Sequence, residues 1–286
     1  MIGKIISTSG GIYVVYSEGV TYNVFPRGNL RHKNKNLYVG DNVVLDDEYT
    51  IVDVLDRTNE IIRPKCANID LLLITMSVVE PDLSIELIYK FLTYANYNGV
   101  KSAVILTKCD KLRDKSEVLN LQNDLKKLDI PLFLVSKMDK ESYEPVKEML
   151  ANKVTVIMGQ TGVGKSSLIN EIDPSFNRLV GEYSLALGRG KHKTKEVILL
   201  PYFDGFIGDT PGFSSLELDL FKEDLAIYFP GFTNHYLDCY FTNCLHQNEK
   251  ECKVKEMIEK GEISKDAYDV YLKLLASLPY KKDRTY

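Results

Sequence analysis

Residues 159–167 read GQTGVGKSS, directly after the apolar run KVTVIM and overlapping the helical run SSLINEI. Gly159 to Ser166 fit the spacing GxxxxGK(S/T), and a strand before it and a helix after it are the context that gives this spacing meaning. The glycines allow backbone N–H groups to curl around phosphate oxygens, and the helix N-terminus adds a dipole that favours an anion. Along the cradle Gly159, Gln160, Thr161, Gly162, Val163, Gly164, Lys165, Ser166 and Ser167, Lys165 is expected to reach β- and γ-phosphate oxygens, and Ser166 to offer its hydroxyl to Mg²⁺. The bland alternative is a glycine-rich turn between strand and helix that holds nothing.

The surroundings favour the ligand. From about residue 69, apolar runs alternate with amphipathic ones. DLLLITMSV, SAVILT, PLFLVS and KVTVIM read as buried strands, and 82–98, 114–128 and 141–151 as helices. The first helix places Leu83, Leu87, Ile88, Phe91, Leu92 and Ala95 on one face before Gly99. EVILL and DGFIGD supply two later strands. This alternation predicts a doubly wound α/β domain whose parallel sheet is covered on both sides.

The flanks differ. Residues 1–63 carry short β-like runs, GKIIST, GIYVVYS, TYNVFP, NVVLDD and TIVDVLD, broken by Gly, Asn and Asp turns, which predicts a small β-barrel or sandwich. The residues leave OB-type and SH3-like barrels both open. Beyond about residue 218 the strand rhythm stops, and helical runs at 253–260 and 264–277 follow a Cys/His cluster. A chain of 286 residues has room for two or three domains, and the expected boundaries are 1–65, 66–218 and 219–286.

Two further segments bear on the phosphate cradle. IGDTPGF ends a strand on Asp209 and puts Gly212 three residues on, the DxxG spacing in which the acid orients Mg²⁺ through water and the glycine N–H senses the γ-phosphate. LTKCDK, at 106–111, lies upstream of the cradle. Guanine presents N1–H and N2–H₂ side by side, so the single carboxylate of Asp110 can accept both. Lys108 can lay its stem along the ring, Thr107 stands where Asn is commoner, and Cys109 is read as a spacer. Ser136 and Lys137, ending the next strand, suit the backbone loop that touches guanine O6. Phe213 follows Gly212, and a phenyl ring cannot orient water, so slow intrinsic turnover is expected unless another group or a partner completes the site. His192, in the loop GRGKHKTK, is the candidate for positioning water, against the alternative of a loop histidine touching phosphate or RNA; Thr194 is the candidate second hydroxyl on Mg²⁺.

Five cysteines without a secretory leader argue against a disulfide framework. Cys66 reads as a small buried residue. Cys239, Cys244, His246 and Cys252, spaced CxxxxCxHxxxxxC, offer three thiolates and an imidazole, a closed structural Zn²⁺ shell; the alternative is reduced, loosely packed thiols. His235 reads as a loop histidine. The formal net charge of −4 argues against a wholly basic nucleic-acid coat, but Arg27, Arg31, Lys33 and Lys35 form one local basic cluster, and Arg189, Lys191, Lys193 and Lys195 another. The longest apolar stretch, IDLLLITMSVV, is far shorter than a membrane span, so a cytoplasmic protein is expected.

TKCD, VSK, GQTGVGKSS, GRGKHKT and DTPGFSSLE, in this order and followed by the cysteine cluster, resemble the ribosome small-subunit-dependent GTPase A (RsgA) family over essentially the whole chain. The resemblance implies a circularly permuted GTPase domain, an N-terminal barrel of OB type joined through RPKCANID, and a C-terminal zinc domain. It implies binding to the immature 30S subunit and its 16S rRNA late in assembly, a GTP/GDP cycle stimulated by the subunit, Mg²⁺ with the nucleotide and one structural Zn²⁺. Off the ribosome a monomer is expected. One departure stands out: His192-Lys193-Thr194 replaces the family's usual His-Thr-Thr. An RNA-binding scaffold without turnover and a P-loop ATPase or kinase are the rival readings.

Overall fold

The structure, a computed structural model, describes residues 1–28, 36–176, 178–179, 197–210 and 216–281. The chain opens with an antiparallel sheet of β1 (Ile2–Ser9), β2 (Ile12–Ser17), β3 (Val20–Val24), β4 (Asn42–Leu45) and β5 (Ile51–Val54), in the order β3-β2-β1-β4-β5. Two-residue turns, Gly10-Gly11 and Glu18-Gly19, all at positive φ, join the first three strands and match their twist. The sheet then closes on itself. Pro26 bridges Ile51 in parallel, with Arg27 N–H donating to Ile51 O at 2.9 Å and Ile51 N–H to Phe25 O at 3.0 Å. Ile5, Val15, Val24, Val43, Leu45, Ile51 and Val54 fill the barrel. Strand alternation lets neighbouring residues serve two cores: Ile5 points into the barrel and Ile6 joins the core of the next domain.

A short pair, β6 (Glu60–Ile61) and β7 (Cys66–Ala67), leads into the central sheet. Its elements are β8 (Leu71–Ser77), α1 (Ile85–Tyr97), β9 (Lys101–Thr107), α2 (Ser116–Lys127), β10 (Leu132–Leu134), α3 (Glu144–Leu150), β11 (Val154–Met158), α4 (Lys165–Ile172), β12 (Ile198–Tyr202) and β13 (Gly205–Asp209). The order is β10-β9-β8-β11-β13-β12. β8 is buried along its whole length because apolar clusters cover both faces, one built on α1 and α2 and the other on α3 and α4. The sheet is mixed rather than wholly parallel, since β12 runs antiparallel to β13. Only Phe203-Asp204 separates them, with Phe203 at φ 48, and so short a link permits a hairpin but no crossover. The barrel packs beside this hairpin, where Tyr16 meets Phe206 edge-on at 5.4 Å.

The chain leaves the sheet after β13 and builds α5 (Lys222–Tyr228), α6 (Lys253–Glu259) and α7 (Lys265–Ser277) around Phe229, Phe232, Tyr271 and Leu274. This core continues onto α1, where Tyr89 stacks on Phe229 with centroids 5.5 Å apart. The α1 helix therefore carries apolar residues on two faces, Phe91 and Leu92 toward the sheet and Tyr89 toward the C-terminal body.

Candidate functional site

The carboxyl ends of β8, β9, β11 and β13 converge at the centre of the sheet, the edge at which open α/β sheets hold ligands. The 159–164 loop leaves β11 there and enters α4 at Lys165. Close approach dictates its first residue, because a Cβ on Gly159, at φ +155, would lie 2.1 Å from Thr75 O. At its end Gly164, with φ 98, is the left-handed cap of α4. Lys165, 9% exposed, donates from Nζ to Gly159 O and Gln160 O, both at 2.8 Å, and so ties the loop to itself. Burial lowers the Lys165 pKa and raises that of Asp209 at the tip of β13; each charge partly offsets the other's burial. Ser166 stands exposed at the start of the helix.

The loop after β9 rests against this one. Thr107 Oγ1 donates to Val163 O at 2.5 Å, and Lys108, in the left-handed conformation, donates from Nζ to Gly162 O at 3.1 Å. Asp110 is held from the other side by the Ser136 hydroxyl, at 2.7 Å from its Oδ1. Ser136 itself receives Met138 N–H at 3.0 Å, so the two segments on which Asp110 and Lys137 stand are coupled. The Cys109 thiol lies 3.2 Å from Leu106 O. Thr107, Lys108, Asp110, Ser136 and the Gly159–Ser166 loop are thus brought to one edge. His192, Lys193, Thr194, Gly212 and Phe213 lie outside the described residues, as do Arg31, Lys33, Lys35, Arg189, Lys191 and Lys195. Sequence reasoning missed the 77–82 segment after β8, which touches both loops; its position at a strand's carboxyl end beside the cradle strand was the available signal.

The second constellation lies in the C-terminal body. Cys239, Cys244, His246 and Cys252 bring their ligand atoms within 4.8 Å of one another. Cys239 Sγ is 3.5 Å from His246 Nδ1 and 3.9 Å from Cys252 Sγ, and Nδ1 is 3.4 Å from Cys252 Sγ. A tetrahedral Zn²⁺ with ordinary bond lengths needs ligand-to-ligand separations of about 3.6–3.8 Å, so the quartet fits one ion. His246 is 1% exposed, and burial pushes its pKa down to about 4, which keeps the imidazole neutral as a ligand must be. Its backbone takes the left-handed conformation at φ 58, and its carbonyl receives the Tyr268 hydroxyl at 2.7 Å. Glu249 gathers the N–H groups of Leu245, Gln247 and Asn248, which pins the turn between the second and last cysteine. His235 stays apart, near Glu262 at 4.0 Å, as a loop histidine.

A sheet of this strand order, with a GxxxxGK(S/T) loop on a central strand, defines a P-loop nucleotide hydrolase whose chain enters at β8 and leaves after β13. Family models for the RsgA GTPase and the RsgA N-terminal domain match residues 54–219 and 2–50, and the chain belongs to the RsgA family. It is similar to the small ribosomal subunit biogenesis GTPase RsgA 1 of Listeria monocytogenes, 37% identical over 99% of both chains, and to RsgA of Streptococcus pneumoniae, 38% identical over 99% of this chain and 96% of that one. A crystal structure of YjeQ from Thermotoga maritima is 32% identical, with a TM-score of 0.82 over 99% of both chains. The structure of YloQ, described as a circularly permuted GTPase, gives 32% and 0.80 over 100% of this chain and 96% of that one. The protein is accordingly a GTP hydrolase that works with Mg²⁺ and has a Cys₃His group able to hold one zinc ion. Among the described residues no helix is long and apolar enough to cross a membrane.

Proposed function

We propose that this GTPase acts in the biogenesis of the small ribosomal subunit, binding the immature 30S particle through 16S rRNA in its GTP form and leaving after hydrolysis. Family membership and the relatives' names support the biogenesis role. The bracing of the Thr107–Asp110 loop on the Gly159–Ser166 loop carries the nucleotide assignment, because it joins residues 56 positions apart into one surface.

In this reading the Asp110 carboxylate accepts N1–H and N2–H₂ of guanine, held in aim by Ser136, and the Lys108 stem covers the ring. Backbone N–H groups from Gly159 to Ser167 receive the phosphates, and Lys165 reaches the β- and γ-oxygens. Mg²⁺, when bound, neutralises phosphate charge; Ser166, Thr194 and, through water, Asp209 are the residues that would hold it. Gly212 senses the γ-phosphate, and His192 positions water, in a site where Phe213 leaves turnover to the subunit's stimulation. Cys239, Cys244, His246 and Cys252 would hold one structural Zn²⁺. Residues 1–65, 66–218 and 219–286 act as barrel, GTPase and zinc domains of a cytoplasmic protein that is monomeric off the particle.

Co-sedimentation with 30S subunits tests the reading. Retention with a non-hydrolysable GTP analogue and release with GDP is expected; equal retention in both states would refute the cycle. Competition between GTP and ATP tests the base assignment, and equal affinity would remove Asp110 from its role.

A further inference from the structure

Lys108 has a second set of partners that the base-reading motif does not explain. An ammonium group carries three N–H donors. All three have acceptors here: Gly162 O at 3.1 Å from the phosphate loop, and Val79 O at 3.3 Å together with Glu80 O from the segment following β8. That segment is itself anchored from beneath. The Ser77 hydroxyl, 1% exposed at the last position of β8, donates to Pro81 O at 2.8 Å, and Val78 N–H donates to Thr107 O at 3.2 Å. At its outer rim Glu80 pairs with Lys111 at 3.3 Å, and Pro81 Cδ lies 3.8 Å from where a Cβ on Gly162 would stand. The 77–82 segment therefore touches the base-reading loop, its lysine and the phosphate loop at once.

We infer that Ser77 is a positioning residue for nucleotide binding: it fixes the Val79–Pro81 segment, whose carbonyls aim the Lys108 ammonium and so hold the lysine stem in the plane where it covers the base. This inference rests on the reading of Lys108 as part of the guanine site. The mechanism is electrostatic and geometric. With two of its three acceptors on this segment, Lys108 keeps one orientation only while the segment keeps its place. Loss of the Ser77 hydroxyl frees Pro81 O, lets the segment drift, and leaves the ammonium to swing toward water, so guanine binding weakens through Lys108 although Ser77 itself does not touch the nucleotide.

A double-mutant cycle on GDP affinity, measured on the zinc-loaded full chain, separates this role from general destabilisation. Ser77→Ala is expected to weaken GDP binding about fivefold, the scale of one net hydrogen bond. Lys108→Ala weakens it more. In the Lys108→Ala background the Ser77→Ala change adds less than about twofold, because the residue through which Ser77 acts is gone. Pro81→Gly, which loosens the segment outside the buried core, repeats the pattern and keeps the test intact if Ser77→Ala folds poorly. The same fivefold loss in both backgrounds, or no loss in the wild-type background, overturns the inference. Wild-type protein that held ADP as tightly as GDP would instead overturn the guanine assignment itself.

Discussion

The phosphate loop and the cysteine knuckle are both short irregular segments that must hold a charged ligand, and the chain braces them by opposite means. Around the 159–164 loop, Lys165, Thr107 and Lys108 all reach its carbonyls, so the protein's own donors set the shape of the loop. In the knuckle, Glu249 and Tyr268 hold the backbone, but the four ligand atoms face one another. Burial first, then the neighbouring Cys252 and Cys239, push the Cys244 thiol up to about 12, so three sulfurs and an imidazole this close call for a cation to hold the thiolates together. One site is preorganised by hydrogen bonds and the other is completed by its metal.

The comparison predicts unequal responses to ligand removal. Stripping zinc with a chelator should have the largest effect, since a structural ion contributes on the order of 10 kcal/mol to a small domain. Far-UV circular dichroism should show loss of the α5–α7 body, while GDP affinity changes by less than about threefold if the nucleotide site is braced as described; a parallel collapse of GDP binding would break the contrast. Asp110→Asn should come next, with GDP affinity down roughly 100-fold from the loss of charge-assisted bonds to the base, and zinc content unchanged.

Acid should produce a third, intermediate response. Burial raises the Asp209 pKa above its ordinary 3.8, so the carboxylate is charged above that raised value and is lost as pH falls through it. In the nucleotide- and Mg²⁺-free protein the Asp209 carboxyl, followed by carboxyl-carbon NMR, should therefore titrate at a higher pH than an exposed aspartate. A midpoint at or below 3.8 would show that burial does not set its charge. The smallest effects form a matched pair. Thr107→Ala and Tyr268→Phe each remove one hydroxyl, costing about 1 kcal/mol. The first should weaken GDP binding about fivefold with zinc retained, and the second should speed zinc loss with GDP binding retained; crossed effects would mean the two sites share their bracing.

The same contrast explains what could be read from the chain before its structure. Contiguous motifs carry their geometry with them: a strand, a glycine turn at Gly159–Gly164 and a helix follow from local sterics, and the alternation of apolar and amphipathic runs follows from a sheet covered twice. The cysteine spacing likewise names a chemistry that few other arrangements satisfy. Legibility ended where long-range contacts decide. The antiparallel placement of β12 depends on the length of the turn at Phe203-Asp204, which apolar content does not reveal. The α5 helix hides in KEDLAIY, too short for a period to emerge. Ser77 and the Val79–Pro81 segment matter through partners some thirty and eighty residues distant, Lys108 and Gly162, and no local pattern marks them. Thr107 stands where Asn is commoner, and its hydroxyl reaches Val163 O, 56 residues away, a contact that no local pattern marks.

The permuted order itself gains a physical sense from the sheet. β8 and β13, the strands at which the chain enters and leaves, flank β11 on either side, so the barrel and the zinc body are tethered to the two neighbours of the phosphate-loop strand. The most direct test is GTP turnover by the zinc-loaded protein with and without purified 30S subunits. Slow turnover alone and acceleration of roughly tenfold or more by the subunit are expected; an identical rate in both conditions would refute subunit-stimulated hydrolysis.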